Sequence, residues 1–94
     1  MLLGNHLIQK TSPIADKFRA AGSESRTAIL AMLLREPMTF SVLVRKLELS
    51  PSLTLHHLKI LLKSGWITRS KFGKLVTYYL SDSAVKEVVT FLRK

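Results

Sequence analysis

"SPSLTLHHLKILLKSGWITRSKFGKLVTYYL", residues Ser50–Leu80, combines a helix signal with a hairpin signal. Ser50 can cap a helix that Pro51 starts, and Gly65 can end that helix. The remaining residues form two β runs around a turn that contains glycine, which is typical of a hairpin. The stretch therefore predicts a helix that is followed directly by a two-stranded hairpin.

Similar capping and breaking signals predict the other elements. These are a helix over 13–21 with Ser12 as cap and Gly22 after its end, a helix that Ser23 caps and Pro37 stops, an extended piece over Met38–Phe40, a helix over about 41–47, and a last helix that Asp82 or Ser83 caps. Two short helices joined by a tight turn and followed by a hairpin make up the winged helix-turn-helix arrangement. We therefore predict a mainly α fold (α+β), with about five helices and a β-hairpin wing, in a single DNA-binding domain over residues 1–94.

The charge of the chain favours a polyanionic partner. The 94 residues include 15 Lys and Arg against 6 Asp and Glu, which gives a formal net charge of +9. Nucleic acid is the first candidate partner, an anionic membrane surface is the second, and a merely solubilising surface is the plain alternative. The sequence has no cysteine, which excludes disulfides, thiolate metal ligands and cysteine nucleophiles.

No membrane or secretory segment is expected. No apolar run approaches the roughly 20 residues needed to span a bilayer. The first ten residues have no basic region before their apolar residues and no small-residue cleavage site, unlike a signal peptide. A cytoplasmic protein is therefore expected.

His56 and His57 are adjacent, so on a helix they point about 100° apart. Two ligands on one helix need a spacing of three or four residues, so these histidines are not expected to share a metal ion. His6 has no Cys, Asp or Glu near it in the sequence. No carboxylate pair or nucleophile pattern accompanies the histidines. We predict no metal, no cofactor and no catalytic site.

The helix wheel instead separates a core face from a polar face. Thr54, Leu58, Leu61 and Leu62 lie on one side, with His57 at its edge, where we expect its ring to pack and to bond a backbone group. The opposite face carries Ser52, His56, Lys59 and Lys63. A solvated face is the plain interpretation of such a stripe. Because it begins at the N-terminus of the second helix of a helix-turn-helix, DNA recognition is the favoured one.

The predicted wing adds to the positive charge. Arg69, Lys71 and Lys74 cluster on the hairpin, and every charged residue between Glu48 and Asp82 is positive. These cations can reach the minor groove or its phosphates. The residues expected to contact double-stranded DNA are Ser50, Ser52, Leu53, Leu55, His56, Lys59, Lys63, Arg69, Lys71 and Lys74.

Four segments resemble the ArsR-type family of winged-helix transcriptional repressors. They are "SRTAILAMLL", "MTFSVLVRKLELS", "LHHLKILLKSGWI" and "GKLVTYYL", and together they span about Ser25 to Leu80. The resemblance implies that the fourth helix and the wing contact DNA, and that the terminal helices form a homodimer. Related MarR-like proteins share the outline.

Three features depart from the family pattern. The third helix lacks the cysteines of metal-sensing members and the last helix lacks their histidine, so metal sensing is not carried over. Glu48 stands where the turn often has Gly, which costs a few tenths to about 1 kcal/mol if φ is positive there. Leu53 and Leu55 stand where small polar residues are usual, so they could contact thymine methyl groups or another protein.

Surplus apolar residues at both ends predict the dimer surface. Val85, Val88, Val89 and Leu92 are expected to form the inner face of the final helix, which a core of this size does not need in full, and the N-terminal segment adds further apolar residues. The residues concerned are Leu3, Leu7, Ile8, Val85, Val88, Val89 and Leu92. We predict a homodimeric, sequence-specific regulator of transcription, with repression favoured and any small-molecule effector left open. The alternative is a winged-helix module that binds proteins of the transcription or replication machinery and touches nucleic acid loosely.

Overall fold

Hydroxyl side chains set the start of the three central helices. The side-chain oxygens of Ser23, Thr39 and Ser50 each accept a hydrogen bond from the amide three residues later, at 3.1, 3.3 and 3.1 Å. Such caps satisfy amides that the first helical turn leaves free. The predicted caps Ser23 and Ser50 are confirmed.

The computed structural model describes residues 13–93. Within them lie α1 (13–21), α2 (Glu24–Arg35), β1 (Met38–Thr39), α3 (Phe40–Leu47), α4 (Pro51–Lys63), β2 (Ile67–Phe72), β3 (Leu75–Leu80) and α5 (Asp82–Arg93). The helix-turn-helix is α3 and α4, and the wing is the hairpin of β2 and β3. The predicted fold class, five helices and a hairpin wing, is confirmed. The predicted cap Ser12 lies outside the described residues.

Two details of the predicted elements are wrong. Phe40 is the first residue of α3 and not part of a strand, because Thr39 already caps that helix. Neither Asp82 nor Ser83 caps α5. The Ser81 hydroxyl does so, accepting from the Ala84 amide at 3.4 Å, because Ser81 is the first residue after β3.

The phase of α5 also differs from the prediction. Ala84 is the residue of this helix that is buried in the core, and Val88, one turn later, packs against that core. Val85 is half-buried, whereas Val89 and Leu92 are exposed and do not face inward. Ala84 is thus the α5 side chain that is buried in the core, and the last two apolar residues of the helix lie outside it.

Four fully buried side chains from three helices form the centre of the core. Ile29 of α2, Leu43 of α3, and Leu58 and Leu61 of α4 have no exposed surface, and Tyr78 of β3 closes the core on the sheet side. Burying large aliphatic side chains contributes about 1.5–3 kcal/mol each. The core therefore fixes how α4 is rotated about its own axis.

The sheet extends the wing away from this core. Its order is β1-β3-β2, with antiparallel pairs Met38 to Tyr78 and Ile67 to Leu80 at the buried end. At the far end, Phe72 pairs with Leu75 around a turn at Gly73, where φ is 62°. The wing is thus anchored at one end and free at the other.

Lys17 joins α1 to the end of α4 and to α5. Its carbonyl accepts a 2.6 Å hydrogen bond from the Trp66 indole, and its ammonium donates to the Ser64 carbonyl at 3.1 Å. The same ammonium lies 3.2 Å from the Glu87 carboxylate. This set of polar contacts holds the C-terminal end of α4 against α1 and α5.

Glu48 adopts a left-handed conformation at the end of α3. Its φ and ψ are 57° and 33°, and its amide donates to the Val44 carbonyl at 3.1 Å. Glycine adopts this conformation without steric cost. Glu48 therefore has the positive φ for which the sequence predicts a loss of stability.

Glu48→Gly is expected to raise the free energy of unfolding by about 0.5–1 kcal/mol, because it removes the left-handed penalty. Urea unfolding followed by circular dichroism measures this change. Glu36→Gly is the matched control, since Glu36 ends α2 with an extended φ of −165° and should gain nothing. Equal effects of the two substitutions would contradict the explanation.

Candidate nucleic-acid interface

The two faces of α4 separate as the sequence predicts. Thr54, Leu58 and Leu61 are fully buried, while the outer face of α4, defined as Ser52, His56, Lys59 and Lys63, is exposed. The predicted helix phase is confirmed. The role of these exposed side chains in DNA contact stays a prediction.

Three residues near the start of α4 that the sequence assigns to DNA contact differ in their exposure and contacts. The Ser50 hydroxyl is engaged in the cap, accepting from the Leu53 amide. Leu53 itself is 42% exposed. Leu55 is half-buried and faces the wing. Of the two leucines flagged by the sequence, only Leu53 stands in open solvent.

The cations of the wing are all exposed, and the register fixes their directions. Arg69 pairs with Tyr78 and Lys71 with Val76, so both cations lie on the sheet face that carries the buried tyrosine. Lys74 lies in the turn. Because this face continues past the core, Arg69 and Lys71 follow one side of the hairpin outward from α3 and α4.

A groove of about 240 Å³ joins the wing to the helix-turn-helix. Its lining residues come from β1, α3, α4 and the hairpin, and they are Thr39, Phe40, Ser41, Leu55, Arg69, Lys74, Leu75, Val76 and Tyr78. The groove brings Leu55, Arg69 and Lys74 together, as a combined surface of helix and wing requires. Pairing of β1 with β3 produces this arrangement, since it places the start of α3 beside the hairpin.

Lys63 does not belong to that groove. It lies about 16 Å along α4 from Ser52, at 1.5 Å per residue. It lines a separate depression of about 430 Å³ between α1, α2 and α4, with Asp16, Arg19, Ala20, Arg26, Ile60 and Ser64. Any DNA contact of Lys63 would therefore be peripheral to the contact predicted for Ser52 and His56.

His57 is held by a side chain and not by the backbone partner expected from the sequence. Arg26 Nη1 donates to His57 Nδ1 at 3.1 Å, and Arg26 Nε donates to the Ala20 carbonyl at 2.5 Å. A guanidinium has donors only, so Nδ1 must carry a lone pair and the ring is neutral. Burial, then the Arg26 charge and the neighbouring His56, hold the pKa of His57 below its ordinary 6.5.

The residues that the structure describes contain no group of three or more His, Cys, Asp or Glu that could hold a metal ion. His56 and His57 meet edge to face, with their ring centroids 5.6 Å apart. Among the described helices, none combines the length and the apolar character needed to cross a membrane.

Sequence patterns missed Arg26, Ser41 and Lys17. Arg26 lies 31 residues from His57, and Lys17 lies 47 residues from Ser64, so no periodicity links either pair. Ser41 follows the capped start of α3, and only the pairing of β1 with the wing reveals that it lines the groove. No local signal in the sequence marks any of the three residues.

A helix-turn-helix packed beside a basic hairpin on a three-stranded sheet defines a winged helix-turn-helix protein. Residues 23–69 match the protein family described as "Bacterial regulatory protein, arsR family". Over 76 residues the chain is 34% identical to the transcriptional activator HlyU of Vibrio cholerae, covering 81% of this chain and 70% of that protein.

Solved structures agree with this match. HlyU from Vibrio cholerae aligns with a TM-score of 0.78 and 31% identity, covering 88% of this chain and 90% of the other. HlyU from Vibrio vulnificus aligns with a TM-score of 0.74 and 30% identity, covering 99% and 96%. The chain belongs to the arsR family, whose members are DNA-binding transcriptional regulators and not enzymes. The resemblance seen in the sequence is confirmed.

The His57 ring is expected to titrate below 6.5 in the folded chain. Because the pKa of His57 is lower in the folded chain, the unfolded chain binds more protons between the folded pKa and 6.5. The contribution of His57 to stability is therefore fully present above pH 6.5 and falls as the pH falls through that window. NMR of the ring resonances measures the titration. Arg26→Met should shift the pKa of His57 upward, and a titration at or above 6.5 in the unaltered chain would contradict the assignment.

Proposed function

We propose that this chain is a sequence-specific regulator that binds double-stranded DNA as a homodimer, without a metal-sensing site. The observation that carries the proposal is the exposed stripe of Ser52, His56 and Lys59 on α4, beside a wing whose charges are all positive. In helix-turn-helix proteins the second helix enters the major groove by its N-terminal residues. Ser52 and His56 then contact base edges, and Lys59 contacts phosphate.

We further propose that DNA binding represses transcription by covering promoter sequence. Activation is the alternative, because the Vibrio cholerae relative is called an activator. A footprint on the DNA around the protein's own gene tests the proposal: protection over the promoter elements themselves supports repression. Protection only upstream of them supports activation, and uniform binding to all sequences supports the protein-binding alternative.

Exposed apolar residues on the terminal helices support the proposed dimer. Val89 and Leu92 of α5 are 43% and 67% exposed. Phe18 of α1 and Phe91 of α5 meet edge to face at 6.3 Å and are also exposed. The predicted interface residues Leu3, Leu7 and Ile8 lie outside the described residues. Val85 and Val88 are half-buried within one protomer and contribute less.

The proposal of no metal sensing rests on the donor set. The sequence has no cysteine, and His57 already accepts from Arg26 through one ring nitrogen. His56 lies about 100° further round α4, and its ring meets that of His57 edge to face. A ligand set for zinc needs three or four such groups in one place.

Lys71→Ala with Lys74→Ala is expected to weaken binding to all DNA sequences alike, because these side chains contact phosphates. The slope of log K against log salt should fall by about 1 for each phosphate that is no longer neutralised. Fluorescence anisotropy at several salt concentrations measures it. Lys86→Ala, on α5 in a depression formed with α2 and β3, is the matched control and should leave the slope unchanged. An unchanged slope in the wing variant would remove the wing from the interface.

His56→Ala and His57→Ala are expected to behave differently. Because His56 is exposed, His56→Ala should lower the free energy of unfolding by less than about 0.5 kcal/mol. It should weaken specific binding by about 1–3 kcal/mol if His56 bonds a base edge. His57→Ala should cost about 1–2 kcal/mol of stability, since Arg26 loses its acceptor, and should keep base preference. Thermal unfolding and competition binding measure the two effects. If the behaviours were exchanged, the assigned DNA-contacting face would be wrong.

The dimer is expected to dissociate when Val89 and Leu92 are replaced by Asp, because burying two carboxylates without partners is costly. Light scattering at micromolar concentration measures the mass. Leu34→Asp is the matched control, since Leu34 is exposed on α2 and should leave the dimer intact. A monomer in the unaltered chain would contradict the proposal. An intact dimer places the two α4 helices about 34 Å apart, to match two half-sites.

A further inference from the structure

The tip of the wing carries two exposed apolar side chains next to its cations. Phe72 and Leu75 are direct partners across the hairpin, so their side chains lie on the same face of the sheet. Phe72 is 88% exposed, more than any other large hydrophobic residue in the described part of the chain. Leu75 beside it is 54% exposed. Neither side chain is buried in the core.

The proposed dimer surface does not account for this tip. The hairpin joins α5 at its other end, because β3 ends at Leu80 and α5 begins at Asp82. Leu75 lies five positions before Leu80 on an extended strand, which is a distance of about 17 Å. A partner protomer packed on α5 and α1 therefore leaves Phe72 uncovered.

The charged residues near Phe72 are all positive and favour a polyanionic partner. Lys71 precedes it, Lys74 follows the turn, and no acidic residue occurs between Glu48 and Asp82. Gly73, between the two, has a φ of 62°, and a Cβ placed there would meet no atom within 4 Å. The tip is thus narrow and open. Lys71 lies on the opposite face of the hairpin from the Phe72 ring and Lys74 lies in the turn, so positive charge is close to the ring along the chain in both directions. DNA offers phosphates for the two lysines and base stacks for the ring.

We propose that Phe72 is a wedge that enters the minor groove and partly unstacks one base step beside the sequence contacted by α4. This inference rests on the proposed function, since it requires a DNA-bound wing. Apolar side chains inserted in this way kink DNA, and pyrimidine–purine steps unstack most easily. Lys71 and Lys74 neutralise the phosphates that flank the step. Phe72 therefore adds a preference for a deformable step at a fixed distance from the major-groove contacts.

In vitro selection from a randomised DNA duplex tests the wedge and does not require a defined operator. The unaltered chain should enrich a central motif and, at a fixed distance from it, a TA or CA/TG step. Phe72→Ala should keep the central motif and lose the flanking step. It should bind the selected duplex about tenfold to a hundredfold more weakly, the range expected for loss of a buried ring. Phe72→Trp should retain the step, and the Lys71 and Lys74 variant should retain it with lower affinity.

A second measurement follows the unstacking itself. With 2-aminopurine placed at the selected step, fluorescence should rise when the unaltered chain binds, and it should not rise with Phe72→Ala. Thermal unfolding of Phe72→Ala should match that of the unaltered chain, because the ring is exposed. An identical flanking preference and fluorescence in both proteins would overturn the wedge and leave the proposed function standing. Selection of no motif by the unaltered chain would overturn both.

Discussion

The burial of one side of α4 determines how this helix is placed and which side chains it presents to solvent. Thr54, Leu58 and Leu61 have no exposed surface, so the rotation of the helix about its axis is fixed by core packing. A rotation by one residue, about 100°, would carry this apolar stripe out of the core and expose it to water. The polar contacts of Lys17 with Trp66 and Ser64 hold the C-terminal end of the same helix. The outer face of α4 is therefore presented in one fixed orientation.

The same constraint gives two adjacent histidines different roles. His57, at the margin of the core, connects α4 to α2 through Arg26, and its lowered pKa keeps the ring neutral and able to accept. His56 stays in solvent among the polar residues of the outer face. A neutral His57 stabilises the helix pair, while His56 is free to bond whatever the helix contacts. Under the proposed function, one histidine of the pair serves stability and the other serves recognition. The described residues hold no group of three or more His, Cys, Asp or Glu around them.

Local signals in the sequence were sufficient for much of this structure. The Ser50 cap, the turn at Gly73 and the apolar spacing of α4 each depend on residues a few positions apart, and the structure has all three. The partner of His57 was not predictable, because Arg26 is distant in the sequence. The outward phase of Val89 and Leu92 was missed because the small Ala84, and not one of the larger apolar residues, is the α5 residue that is buried in the core. The groove between wing and helix-turn-helix follows from strand pairing that periodicity does not specify.

NMR mapping of a DNA complex would show whether α4 and the wing bind DNA. Labelled protein would be titrated with the duplex protected in a footprint of its own gene region. If α4 and the wing contact DNA, the largest shifts will lie at Ser52, His56 and Lys59 and along residues 69–75, with the His56 ring affected more than the His57 ring. Shifts concentrated around Leu34 and Arg35 at the end of α2, with the outer face of α4 unchanged, would contradict the claim.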